Sequence, residues 1–390
     1  MCNIYINNKT KGGIIVKNND KFYKIFNAVL LSSMIFLNCG AASAKKDTKT
    51  YQKTSSYSER FSDFKDDLTS EFVTKLSSFI NRFGKLFKIP LNSYYKIKDA
   101  SDFDTTQTSC WMKNLKDEAV ISDIVIPGSH DSSTYSMSPN NGNNLIAKAA
   151  QTQDMTVYGQ LKLGARSLDI RGSDVFGKIV TNHGVVNGCE LSEVLNDILK
   201  FSEENPTEVV ILLFRNCNKK NLEKIAKLPE IKTIGEKCLT QNMCKSLNKS
   251  LGEVSMGDIR KLGAKFILIG SNEEDIFHSN INLNNKYNES TRMADTETMV
   301  AQELKQLDEF PSNVLRNISP VHTPSTEDFF KNKASPMKSE YKSSGIRNEL
   351  LRESEIFQKK SNIVSLDALA INEKFIKELI DMNRDRNLLY

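Results

Sequence analysis

The 390-residue sequence has no surplus of charge of one sign, no internal repeat, no paired CxxC motif and no apolar run long enough to cross a bilayer. Each absence closes a class of reading. Its 53 basic and 48 acidic residues leave a formal +5, most of it from the first 44 residues, which hold five lysines and one acid, Asp20. The near-neutral remainder gives no support to nucleic-acid binding. Without CxxC or Cys/His spacing there is no zinc signature. The apolar run from Phe26 to Leu37 is too short for a membrane span. It follows a basic stretch ending at Lys24 and precedes Ala42-Ser43-Ala44, so residues 1–44 read as a signal peptide and the protein as secreted or displayed at the cell surface. An uncleaved anchor is the other reading. Phe36 and Asn38 fit poorly with lipidation at Cys39.

Of seven cysteines, five lie beyond Cys2 and Cys39: Cys110, Cys189, Cys217, Cys238 and Cys244. An odd number in an exported chain permits two bridges and a spare thiol, with Cys238 and Cys244 a local pair.

What is present is globular: 39% hydrophobic and 26% charged residues suffice for a sizeable core. The length suits one barrel of roughly 250 residues with extensions. Residues 45–57 are a polar Ser/Thr/Lys-rich linker. Phe61, Phe64, Leu68, Phe72, Leu76, Phe79, Ile80, Phe83 and Phe87 then recur at helical spacing. That aromatic face either packs on the catalytic domain or lies on a membrane. The extension as a whole covers residues 45–107 and the catalytic domain 108–390.

From about residue 110, short β-branched runs alternate with amphipathic stretches. Strands are expected at Ile121–Ile126, Ser167–Ile170, Lys178–Thr181, Glu208–Phe214, Lys265–Ile269, Val314–Ile318 and Asn362–Leu366. Helices are expected at Glu190–Glu204, Lys219–Leu228, Thr298–Leu307 and Asn372–Met382. The alternation predicts an α/β fold with a parallel sheet, and polar residues just after several strands favour a (β/α) TIM-like barrel, regular or irregular, with its site at the C-terminal rim. The polar segment Ser271–Thr296 reads as a rim loop, which makes His278 solvent-facing; His322 reads as structural.

Three stretches carry chemistry. In Ile124-Val125-Ile126-Pro127-Gly128-Ser129-His130-Asp131 an apolar run stops at Pro-Gly and presents His130 and Asp131 to a turn. In Ser167-Leu168-Asp169-Ile170-Arg171-Gly172, Asp169 and Arg171 alternate around Ile170 and so share a face, where burial demands pairing or a ligand. Thr181-Asn182-His183-Gly184 delivers a second histidine at a strand end.

In order and interval, IPGSHDSS, SLDIRG and TNHG, with Cys110-Trp111-Met112 and Tyr158-Gly159-Gln160-Leu161 before the first and second motifs, resemble the X-domain of phosphatidylinositol-specific phospholipases C, closest to the bacterial and X-domain-containing branch. The likeness spans roughly residues 108–384 and is strong from 111 to 215. It implies His130 as the general base on the inositol 2-hydroxyl, His183 as the general acid on the departing diacylglycerol oxygen, and Asp131 as the carboxylate orienting His183. It implies Arg171 at the phosphoryl oxygens, Asp169 in the same charged cluster, and Asp367 as partner of the base. Arg215 stands where bacterial members have a cationic inositol contact.

The chemistry suits those residues. A neighbouring hydroxyl needs only proton transfer and charge stabilisation; imidazoles titrate near neutrality, and a guanidinium fork matches phosphate oxygens. Arg171 stands where calcium-dependent relatives place an acid and would repel the ion, so no metal or cofactor is expected. The implied partner is a phospholipid at a membrane surface, met transiently by a monomer. The alternatives are a phosphodiesterase for another lipid headgroup and a catalytically silent membrane-binding module on the same fold.

Overall fold

In this computed structural model the described residues are 97–137, 150–184, 186–270, 275–278, 283–284, 295–322 and 335–390. They belong to the second of two units, 91–390, into which the chain divides. The signal-peptide, linker and aromatic-helix expectations lie outside them. Among the described residues no helix is long and apolar enough to cross a membrane.

Eleven strands are present among the described residues: β1 Ile126–Ser129, β2 Ser167–Ile170, β3 Gly172–Val175, β4 Lys178–His183, β5 Val186–Glu190, β6 Val210–Phe214, β7 Phe266–Ile269, β8 Phe277–His278, β9 Leu283–Asn284, β10 Leu315–Ile318 and β11 Ile363–Leu366. The helices used below are α1 Val157–Leu163, α2 Leu191–Glu204, α3 Lys219–Ile225, α4 Thr296–Glu309 and α5 Glu373–Asp385. Eight strands form one parallel sheet in the order β8-β7-β6-β2-β1-β11-β10-β9, whose two edge strands are consecutive in the chain. This is an α/β barrel of TIM type, irregular because no ladder joins β8 to β9 among the described residues.

Burial on both sides explains the continuous apolar runs: every residue of β6, Val-Ile-Leu-Leu-Phe, is buried. Leu168 and Ile170 of β2 pack with Leu191, Val194, Leu195 and Ile198 of α2. Ser167 and Asp169 alternate with them and therefore face the barrel interior.

Two strand expectations are corrected. Residues 121–125 are a turn, and the strand begins at Ile126. That apolar run satisfies its backbone without a ladder, because Asn383 bonds both Val125 N and O, at 2.8 and 2.9 Å, and Asn362 Nδ2 donates to Ile121 O and Ile124 O. Lys178–Thr181 lies not in the barrel but in β4, the middle of a separate antiparallel sheet β3-β4-β5. A parallel return needs a crossover of roughly a dozen residues or more, which the chain between Ile170 and Lys178 does not supply. Cys238 and Cys244 do not pair: all five described cysteines are free thiols, and these two sit in different core clusters.

Candidate functional site

The C-terminal end of β1 opens the site. His130 N donates to Leu366 O at 3.1 Å, continuing the β1–β11 ladder by one bond. Asp131 then turns into the left-handed region at φ 45°, a conformation aspartate tolerates better than most residues, and its carboxylate is fully buried at the barrel mouth. Thr134 Oγ1 donates to Asp131 O at 2.8 Å and Ser132 N to Asp169 O at 2.9 Å, which fixes the turn against β2.

Asp131 is the hub. Its Oδ2 lies 3.5 Å from His130 Nε2 and 3.4 Å from His183 Nε2, and its Oδ1 pairs with Arg171 Nε. Arg171 also reaches Asp169 Oδ2 at 3.3 Å, and Arg215, just beyond β6, stands 3.7 Å from the same oxygen. Asp367, just beyond β11, accepts His130 Nδ1 at 2.8 Å. All seven residues singled out in the sequence thus meet in one cluster.

Two details of that expectation change. The sequence assigns one carboxylate to each ring, whereas Asp131 faces both Nε2 atoms. His183 is instead oriented at its other nitrogen by the backbone, with Nδ1 2.7 Å from Ala150 O. A proton on that Nδ1 leaves Nε2 aimed at Asp131. Nor do three barrel strands supply the groups: His183 ends β4, so the antiparallel hairpin brings it over the mouth.

The electrostatics follow from burial among charges. Burial alone would lower the His130 pKa, but the carboxylates of Asp131, Asp367 and Asp169 outweigh it and push it up to about 9. Burial works to raise Asp131, yet Arg171, His130 and His183 hold its carboxyl well below the usual range. Asp367, more deeply desolvated than its one imidazole partner can offset, is pushed up to about 6.

Three contributors carry no motif. Gln153 Nε2 donates to His130 O and Leu366 O, each at 2.8 Å, clamping the ends of β1 and β11 together. Ala150 acts through its carbonyl, which no side-chain pattern announces. Glu303 on α4 is buried and accepts Ser319 N at 3.0 Å; burial pushes its carboxyl up to about 7 against the pull of His130 and Arg215. Apolar neighbours at helical spacing, such as Met299, Val300 and Leu307, mark that face of α4 as inward. The other histidines stay out of the cluster. His278 is buried rather than solvent-facing, because β8 pairs with β7 and its Nε2 bonds Leu239 O at 2.8 Å; His322 Nε2 meets Thr296 Oγ1 at 3.3 Å.

His130, Asp131 and Asp169 offer ligand atoms within 4.8 Å of one another, the one metal-like grouping among the described residues. Arg171 already bonds both carboxylates, so the charge that would attract a cation is met by a guanidinium. Two imidazole nitrogens around one carboxylate oxygen, beside two guanidinium groups, make a site that can exchange protons next to a bound anion.

The chain is similar to known proteins over part of its length. Residues 125–271 match the family described as phosphatidylinositol-specific phospholipase C, X domain. The 1-phosphatidylinositol phosphodiesterase of Listeria monocytogenes is 34% identical over 122 residues, 30% of this chain and 36% of that protein. The protein of the same name from Staphylococcus aureus is 30% identical over 132 residues, 33% of this chain and 39% of that one. The chain therefore matches less than two-fifths of the length of these curated relatives. The solved phosphatidylinositol-specific phospholipase C from L. monocytogenes superposes with a TM-score of 0.53 at 21% identity, covering 71% of this chain and 98% of that structure. At that identity the likeness establishes the barrel fold.

Proposed function

We propose that this chain, a member of the phosphatidylinositol-specific phospholipase C X-domain family through residues 125–271, is a phosphodiesterase that cleaves phosphatidylinositol or a glycosylated inositol lipid to diacylglycerol and inositol 1,2-cyclic phosphate. One observation carries the reading: His130 Nε2 and His183 Nε2 flank a single carboxylate oxygen of Asp131, with Arg171 bonded to the same carboxylate.

In the proposed reaction Arg171 holds the phosphoryl oxygens, with Arg215 beside it on the headgroup. The inositol 2-hydroxyl attacks phosphorus and gives its proton to His130 Nε2. The bond from phosphorus to the diacylglycerol oxygen breaks, and His183 Nε2 supplies the proton that oxygen needs. Asp367 keeps His130 oriented and supports the cation that forms there, and Asp131 sits between the ring that gains a proton and the ring that loses one. The ring geometry of the substrate supplies proximity, so the protein contributes proton transfer and charge stabilisation alone. No step uses a metal. The N-terminal pattern of residues 1–44 supports export, and the lipid substrate places the enzyme at a membrane surface.

Phosphorus NMR of the product from phosphatidylinositol vesicles tests the reading: a cyclic phosphodiester signal is expected. A phosphomonoester formed with no cyclic precursor, or turnover of other headgroups only, overturns it. Activity is expected to persist in excess chelator, and loss with rescue by calcium would refute the metal-free mechanism. His130→Ala is expected to lower kcat by about a hundredfold or more, the scale of a general base.

A further inference from the structure

Resting on the reading that the substrate lies in a lipid surface, we propose that the tip of the β3–β4 hairpin docks the protein on an anionic membrane, with Phe176 entering the interface and the lysines around it meeting the headgroups. Phe176 and Gly177 form a two-residue turn closed by the Val175–Lys178 pair, and both have positive φ, 52° and 85°. Hairpin turns of that kind favour Asn-Gly, and a bulky aromatic in the left-handed region is unfavourable. Phe176 is also 93% exposed, the most exposed of the large hydrophobic residues described. The residue thus stands in a poor conformation and leaves its ring in water, and docking would remove the second of these costs.

The surroundings select the partner. A cleft of about 370 Å³ beside the turn is lined by Gly177 with Lys178, Lys224 and Lys227, and by Ser192 at the start of α2. Lys178 pairs with Glu190 and Lys224 with Asp174, exposed Lys220 and Lys227 take no ion pair among the described residues, and the cleft lining holds three lysines against one acid, Glu190. An aromatic tip beside a cleft lined mainly by lysines matches the chemistry of an anionic lipid interface. The placement also fits, because the two strands of this hairpin lead directly from Arg171 and back to His183. At strand rise the tip is roughly 15 Å from the reacting groups.

The experiment uses the full chain on vesicles free of inositol lipid, phosphatidylcholine with and without phosphatidylglycerol, read by cosedimentation, alongside turnover of a water-soluble inositol phosphodiester. Phe176→Asn creates the favoured Asn-Gly turn, so the melting temperature should hold or rise and soluble turnover should not change. Partition onto phosphatidylglycerol vesicles should weaken about tenfold or more, in keeping with loss of a buried aromatic. Lys220→Glu with Lys227→Glu should weaken partition onto the anionic vesicles alone, an effect abolished by high salt. Unchanged partition of Phe176→Asn, as when the aromatic segment Phe61–Phe87 does the binding, overturns the proposal, as does wild-type protein indifferent to phosphatidylglycerol. Phe176-dependent partition without turnover of any inositol phosphodiester would uphold the docking surface and reject the proposed activity.

Discussion

Raising pH through about 9 strips from His130 the proton that Asp131, Asp367 and Asp169 hold on the buried ring. Its pKa is above the ordinary value, so its contribution to folding is complete below about 6.5 and disappears as pH climbs through about 9. A fall in melting temperature across that window is expected, flatter in His130→Asn. The proposed base form of His130 gains over the same range, so kcat/KM should rise with pH while stability falls. Asp367→Asn keeps a side chain on Nδ1 but deletes a charge; the rising limb should move to lower pH, with kcat down roughly ten- to a hundredfold. A limb that stays where it is would dissociate Asp367 from the ionisation of His130. Glu303 shows the opposite kind of shift. Its raised pKa means that ionisation costs stability as pH rises from about 4.5 through about 7, so Glu303→Gln should gain on the wild type in melting temperature over that range and keep level with it at lower pH. At this scale the sequence discloses side chains that cluster at strand ends, which is why His130, Asp131, Asp169 and Arg171 are legible. Gln153, Ala150 and Glu303 are not, since each acts through a backbone bond or from a helix whose apolar spacing advertises only burial.

The elements that carry the site differ in how they are held. β5 passes so close to the turn after β1 that a Cβ on Gly188 would lie 2.3 Å from Ser136 Oγ and 2.5 Å from Thr181 Oγ1. Gly188→Ala is therefore expected to cost about 1–3 kcal/mol by overpacking and to displace β4 with its terminal His183; a thermal melt together with turnover reads both effects, and unchanged values in both would mean that β5 simply yields. The barrel strands were readable because burial on both faces leaves uninterrupted apolar runs, as in β6. The run at residues 121–125 misled for the same reason, being equally apolar yet bound by the amides of Asn362 and Asn383. β4 misled differently: its pattern is strand-like, and only the shortness of the link from β2 reveals that it belongs to another sheet.

For the molecule as a whole, stability and chemistry are assigned to opposite ends of the barrel. Arg166, fully buried just before β2, bonds Glu208 Oε2 at 2.7 and 2.9 Å and donates to Leu161 O, Ala165 O, Thr108 O and Ser109 O, with Phe201 stacked 4.7 Å from its guanidinium. Burial opposes its charge, so removing the counter-ion is severe: Glu208→Ala is expected to lower stability by about 3–5 kcal/mol. Denaturant titration measures this, and a loss under 1 kcal/mol would mean that water replaces the carboxylate. The fraction still folded should keep its pH–rate profile, because the ion pair lies at the N-terminal ends of the strands.

One consequence of the hairpin reaches beyond its tip. Arg171 and His183 are joined through two adjoining strands, with Asn182 N donating to Arg171 O at 3.3 Å, whereas His130 and Asp367 are anchored to β1 and β11. Tilting the hairpin would carry the proposed anion clamp and proton donor as a pair and alter their separation from the proposed proton acceptor. Rate would then be lost without loss of affinity for the anion, and the assembly could be tuned by leverage rather than by exchanging any of its reactive groups.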